Sequence, residues 1–169
     1  MVRSAIRIAA AAAIMMGALP LAAQAANTAV ERGKYLVTIM GCTDCHTDGS
    51  LAGKPDMKRY LAGSSIGFFI PDLGYFYGPN LTPDKETGLG GWTAKQVATA
   101  LTTGVRPDGR ELAPIMPWRS YAHLTAKDAL AMAAYLKSLP VVKNKVPGPF
   151  GPSEKPTSPY LNLVMPPSP

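Results

Sequence analysis

Cysteine and histidine are scarce in this chain, with two of each among 169 residues. A structural zinc needs four ligands, usually two Cys-x-x-Cys pairs or one such pair with a spaced pair of histidines. Cys42, Cys45, His46 and the distant His123 form neither pattern, so a zinc-held fold is excluded. Charge is thin as well, at 17% of residues with a formal net charge of +6, and no dense basic run is interleaved with aromatics. Nucleic acid is therefore not an expected partner. Beyond the first 25 residues no apolar stretch approaches the roughly 20 residues needed to cross a bilayer.

What is present begins with an export signature. Arg3 and Arg7 make a basic start, Ile8 to Leu19 is an apolar run, and Ala23-Gln24-Ala25 has the small-x-small form of a cleavage site. Residues 1–25 are expected to be a signal peptide, with the mature chain starting at Ala26. The rival, an uncleaved membrane anchor, is opposed by the short run and by Pro20. Without Arg3 and Arg7 the formal charge of +6 falls to +4, a modest excess that suits steering toward an acidic partner surface.

Both cysteines and one histidine fall within "GCTDCHT", residues 41–47. A thioredoxin-like redox pair would follow a strand, but Val30 to Met40 has helical periodicity. Cys-x-x-Cys-His is the signature of covalent haem attachment. Two thiols three residues apart project from nearly one side of a helical turn, so both reach the vinyl groups on one edge of a flat macrocycle. His46 then lies under the iron. Covalent haem is attached after export in bacteria, which makes the periplasm the expected compartment. There an oxidising environment would tend to pair Cys42 with Cys45, and thioether formation removes that option.

Four helical segments are expected. The first, Thr28 to Met40, carries Gly33, which costs about 1 kcal/mol against alanine and calls for close contact with another helix. The second is the attachment motif itself. Thr93 to Gln96 reads as a capping box opening a helix that stops at Gly104, and Thr125 to Asp128 starts a last helix that ends before Pro140. Ala129, Met132, Ala133 and Leu136 share one side of that helix, and its small residues are expected to cross the first helix at Gly33. Phe68, Phe69, Tyr75, Phe76 and Tyr77 flank Pro71-Asp72-Leu73-Gly74, the pattern of a short β-hairpin whose rings either cover apolar surface near the haem or form a docking patch. Residues 140–169 hold nine prolines and are expected to run extended over the body, with "PYLNLVMPP" pinning the end by apolar contact; a wholly disordered tail is the alternative.

The sixth position on the iron decides between electron transfer and ligand binding. Met1, Met15 and Met16 go with the signal, Met40 lies beside Cys42, and Met132 faces the core, which leaves Met57, Met116 and Met165. Met116, in "ELAPIMPWRSY", is braced by Pro114 and Pro117, which reduce the entropy lost on holding its sulfur. It is the expected ligand. His123 is expected to face solvent, and Lys54, Lys58 and Arg59 are candidates for steering a partner.

"RGKYLVTIMGCTDCHT", "GPNLTPDKETGLGGWT", "GVRPDGRELAPIMPWRSY" and "LTAKDALAMAAYLKSLP" together resemble a class I c-type cytochrome over residues 31–140. The pattern is especially similar to the cytochrome c domains in cytochrome subunits of bacterial periplasmic alcohol and sugar dehydrogenases. The resemblance implies a mostly α fold packed around one haem c, with Met116 as sixth ligand and the Pro79 carbonyl accepting a hydrogen bond from His46. Such subunits commonly carry three haem domains and a membrane-attaching end, whereas this chain has one attachment motif. The expected domains are the signal, a cytochrome c domain at 26–139 and a proline-rich extension at 140–169.

The expected function is a periplasmic mono-haem carrier, not an enzyme, passing electrons from a dehydrogenase to an oxidase or another cytochrome. A haem enzyme or gas sensor with a displaceable sixth ligand is the alternative from another class, and a cytochrome fixed as a permanent subunit is a third.

Overall fold

A computed structural model describes residues 19–164. Arg3, Arg7, most of the leading apolar run and Met165 lie outside the described residues. Among the described residues five helices form: α1 Leu19–Ile39, α2 Cys42–His46, α3 Ala94–Thr103, α4 Trp118–Tyr121 and α5 Ala126–Ser138. Two short 3-10 turns, Ser50–Ala52 and Met57–Arg59, follow the attachment motif. Helix α1 starts well before the expected Thr28, because the alanine-rich stretch ahead of it has strong helix propensity and nothing breaks it. The expected cleavage position at Ala25 falls inside this helix.

The local signals act as read. Thr93 Oγ1 accepts from the Gln96 amide at 3.2 Å while the Thr93 amide donates to Gln96 Oε1 at 2.8 Å, so two orphan donors at the start of α3 are satisfied reciprocally. Thr125 Oγ1 accepts from the Asp128 amide at 3.0 Å and opens α5. Helices α1 and α5 cross at Gly33. A β-carbon built there would lie 2.8 Å from Tyr135 Cβ and nearer still to the Ala131 carbonyl. Only glycine permits that approach, and the closeness buries Leu36, Val37, Ala129, Met132, Ala133 and Leu136 in one core with Val97 and Leu101 of α3. Each of the larger side chains contributes about 1.5–3 kcal/mol by leaving water. Arg32 and Asp128, 2.8 Å apart, bridge the same two helices at the surface.

The hairpin forms from β1 Gly67–Ile70 and β2 Gly74–Tyr77, antiparallel, with Phe68 opposite Phe76 and Phe69 opposite Tyr75. A third strand, β3 Tyr160–Leu161, pairs parallel with β1, so the sheet order is β2-β1-β3. Between α5 and β3 the chain has no helix and runs back over the body. The Phe150 and Tyr75 amides and carbonyls exchange bonds of 2.9 and 3.1 Å, and Asn144 Nδ2 donates to the Ala62 carbonyl at 2.7 Å.

One expectation about the tail is corrected. Among the described residues its end is not pinned by apolar burial: Leu161, Leu163 and Val164 are exposed. Strand pairing holds it instead, together with the Tyr160 ring, which lies 4.8 Å from that of Tyr75.

Candidate functional site

Between α3, α5, the hairpin and the tail lies a cavity of about 740 Å³. Cys42, Cys45, His46, Pro79 and Met116 all line it. His123 and Met57 are exposed and do not. Met132 of α5, fully buried, forms part of the wall as well, so among the described residues two methionines border the space.

The attachment motif occupies one helical turn, set off from α1 by Gly41 in a left-handed conformation. Cys42 is buried and Cys45 half-buried, both as free thiols. Burial pushes the Cys42 thiol up to about 11, and burial followed by the charge of Asp44 raises Cys45. Both are therefore neutral S–H groups near pH 7, poor in the thiolate form that forms disulfides. Tyr121, raised to about 12 by burial, is likewise a neutral donor, and its hydroxyl reaches the Met40 carbonyl at 3.3 Å.

His46 is buried, and its Nδ1 lies 2.8 Å from the Pro79 carbonyl oxygen. A carbonyl only accepts, so Nδ1 carries the proton and Nε2 keeps its lone pair. Burial lowers the imidazole pKa, against the smaller opposite effect of the Pro79 bond, and the ring is held neutral. A neutral imidazole with a fixed tautomer is the form that ligates a metal. The loop supplying Pro79 sits tightly against the motif. A β-carbon on Gly78 would run into the Cys45 carbonyl, so glycine is required there.

Met116 lies on an irregular segment between α3 and α4. Its amide donates to the Ala113 carbonyl at 2.9 Å, and the Trp118 amide donates to the Met116 carbonyl at 2.8 Å. These turns and the flanking prolines hold the residue half-buried at the cavity, beside the exposed Ile115. The donor set is thus two neutral thiols, an imidazole with a free Nε2 and thioether sulfur, around a mostly apolar space of a size usual for cofactors. These residues fit a covalently held haem.

A family model for cytochrome c matches residues 30–140. The chain belongs to the cytochrome c family. As a member, this cytochrome is an electron-transfer domain with covalently bound haem c. It is 35% identical over 138 residues to the fructose dehydrogenase cytochrome subunit of Gluconobacter japonicus, covering 78% of this chain and 26% of that protein. It is 33% identical over 109 residues to a diheme cytochrome c-type of Cereibacter sphaeroides, covering 64% and 36% respectively. With the cytochrome c subunit of a quinone-dependent alcohol dehydrogenase of Gluconobacter oxydans the identity is 36% over 106 residues, or 63% of this chain and 20% of the relative. The cytochrome thus spans between a fifth and just over a third of the length of these relatives.

Several lining residues escaped sequence reading. Val146, Pro147, Gly148 and Pro149 of the tail close one side of the cavity of this cytochrome. Lys85, Arg106 and Arg110 also line it, with the Arg106 guanidinium 5.2 Å over the Trp92 ring. Lys54, Lys58 and Arg59, proposed from sequence for steering, are not among the lining residues. The rings of the hairpin fall into two groups. Phe68, Phe76 and Tyr77 line the cavity, while Phe69 and Tyr75 cluster with Tyr160. Among the described residues no helix is long and apolar enough to cross a membrane.

Proposed function

We propose that this cytochrome is a periplasmic carrier of single electrons with one haem, attached through Cys42 and Cys45 and ligated by His46 Nε2 and Met116 Sδ. The observation that carries the reading is the convergence of both thiols, the Pro79-bonded imidazole and the proline-braced methionine on a single cavity. The haem supplies a one-electron couple, and a methionine ligand sets that couple toward high potential. The chain's own residues attach, orient and shield. Each S–H would add across a vinyl double bond with no leaving group, the Pro79 carbonyl fixes the imidazole, and the apolar walls would exclude water. Because both ligands come from braced segments, little has to move between oxidation states. One attachment motif in the sequence supports a count of one haem.

The partners are redox proteins: a dehydrogenase as donor, in keeping with what the relatives' names record, and an oxidase or another cytochrome as acceptor. The basic excess suits an acidic docking surface. The reading is tested by producing the full chain with its leader in a host that matures c-type cytochromes. Haem should appear in the periplasmic fraction, stay on the chain through denaturing electrophoresis, add the mass of one group, and titrate as a single one-electron couple. Loss of haem on denaturation overturns the attachment. Rapid binding of carbon monoxide to the reduced protein favours the gas-binding alternative, and copurification with a dehydrogenase at fixed stoichiometry replaces the free carrier with a bound subunit.

A further inference from the structure

The Pro79 carbonyl that fixes His46 belongs to a peptide group gripped from both sides. The Ser64 amide donates to the Gly78 carbonyl at 3.0 Å, and the Leu81 amide donates to the Leu61 carbonyl at 2.8 Å. Proline has no amide proton of its own. The freedom left is a swing of the Pro79–Asn80 peptide plane, and the Asn80 side chain opposes that swing.

Asn80 is 1% exposed and uses its full hydrogen-bonding capacity. Its Oδ1 accepts from the Thr82 amide at 2.9 Å and the Thr82 hydroxyl at 2.8 Å. Its Nδ2 donates to the Thr87 hydroxyl at 3.0 Å and to the Val142 carbonyl at 2.7 Å. The Val142 amide returns a bond of 3.2 Å to Thr82 Oγ1, and the Asn144 amide donates to Thr87 Oγ1 at 3.0 Å. Val142 and Asn144 lie beyond the 30–140 segment that the family model matches, in the proline-rich extension. The extension thus holds Asn80, the residue next to Pro79, by one direct bond from its side chain to Val142 and, indirectly, by the bonds that Val142 and Asn144 make to its partners Thr82 and Thr87.

We propose that the C-terminal extension is a positioning element for the imidazole: by clamping Asn80, Thr82 and Thr87 it fixes the Pro79 carbonyl and through it the ring plane of His46. The proposal rests on the reading of His46 as the iron's ligand. It gives the extension a role in tuning the haem that reaches beyond covering it. Groups that orient a metal-bound histidine change its donor strength and its exchange with solvent, so the effect is visible apart from any rate of electron transfer.

The test uses the full-length haem-loaded protein and nuclear magnetic resonance of the His46 ring. In the wild type the ring protons should be shifted by the iron; unshifted resonances defeat the ligand reading and leave the clamp a separate matter of polar packing. Given shifted resonances, Thr82→Val should speed exchange of the His46 Nδ1 proton by about tenfold, the factor that corresponds to losing one net hydrogen bond of about 1.4 kcal/mol. Thr82→Ser, which keeps the hydroxyl, should restore it. Asn80→Ala should do at least as much as Thr82→Val. Asn144→Ala, which loosens the extension at its bond to Ala62 and leaves the loop's own residues untouched, should move exchange and ring shifts in the same direction by a smaller factor. If Asn80→Ala does not fold, the Thr82 pair and Asn144→Ala decide. Folded Thr82→Val and Asn144→Ala proteins with wild-type exchange and ring shifts overturn the proposal.

Discussion

The two sides of the cavity are built by opposite means. On the histidine side, buried polar side chains form a closed network in which His46, Asn80, Thr82 and Asp84 are each at most 8% exposed. On the methionine side, Met116 is held by main-chain turns between prolines, with Ile115 beside it 47% exposed. A buried polar network tolerates little displacement, because an unpaired group in a low-dielectric interior is costly. A proline-stiffened turn resists motion only through its own backbone. On the proposed ligation, the contrast implies that the histidine bond would be the permanent one and that the methionine side is where this cytochrome would yield first.

The largest expected effect breaks the weaker side. Met116→Ala should abolish the weak far-red sulfur-to-iron band of the oxidised protein, lower the potential and admit carbon monoxide to the reduced iron, all read by absorption and potentiometry. Met132→Leu, altering the other methionine at the cavity, and His123→Ala, altering an exposed residue, should each keep the band. Survival of the band in the Met116 variant, or its loss in either control, would reassign the ligand. Next comes the stronger side. Gly78→Ala forces a β-carbon onto the Cys45 carbonyl and should cost about 1–3 kcal/mol in denaturant unfolding, the usual penalty for overpacking. Because the loop must back away from the motif, the His46 ring signals should broaden or split in that variant, whereas in Met116→Ala they should stay single.

Two smaller effects sharpen the contrast. If partners dock at the cavity mouth, Lys85→Ala or Arg110→Ala should reduce the salt dependence of electron transfer more than Lys54→Ala or Lys58→Ala, within the 8–10 Å reach of charges at physiological ionic strength. Equal effects would return steering to the loop after the motif. The smallest concerns Asp84, whose carboxyl is held below the ordinary range by the Thr87 hydroxyl and amide. A depressed carboxyl stabilises the fold above its unfolded pKa of about 3.9, and that contribution is lost as pH falls through the lower folded value. Asp84→Asn should therefore flatten acid unfolding below about pH 4 while leaving the far-red band intact; an unchanged acid limb would remove Asp84 from the network.

Much of this was legible in the sequence because local chemistry dictates it. The capping box at Thr93, the stop at Gly104, the hairpin around Pro71 and the crossing at Gly33 each follow from a few adjacent residues or one helical face. The gathering of Cys42, Cys45, His46 and Met116 at one cavity was readable for the same reason: the spacing of the motif and the proline bracing carry meaning by themselves. The polar network was not readable, because Asn80 and Val142 are neighbours only in space and nothing in "GPNLT" names a partner sixty residues on. The tail's closure of the cavity was hidden likewise. Its grip comes from backbone pairing with Tyr75 and β1, which leaves no apolar pattern, and the apolar residues that seemed to promise anchoring, Leu161, Leu163 and Val164, face outward.

The contact of Gly33 with Ala131 joins the two ends of the family-matched segment, so nearly all of the domain is a loop closed by one helix crossing. Contacts so remote in sequence form slowly, since the chain entropy of closing the loop is lost before any burial compensates it. The stage before that crossing forms is one in which the core that buries Cys42 is still open. That stage is the interval in which Cys42 is accessible, and a substitution that hastens the crossing would shorten the time available for haem to be attached.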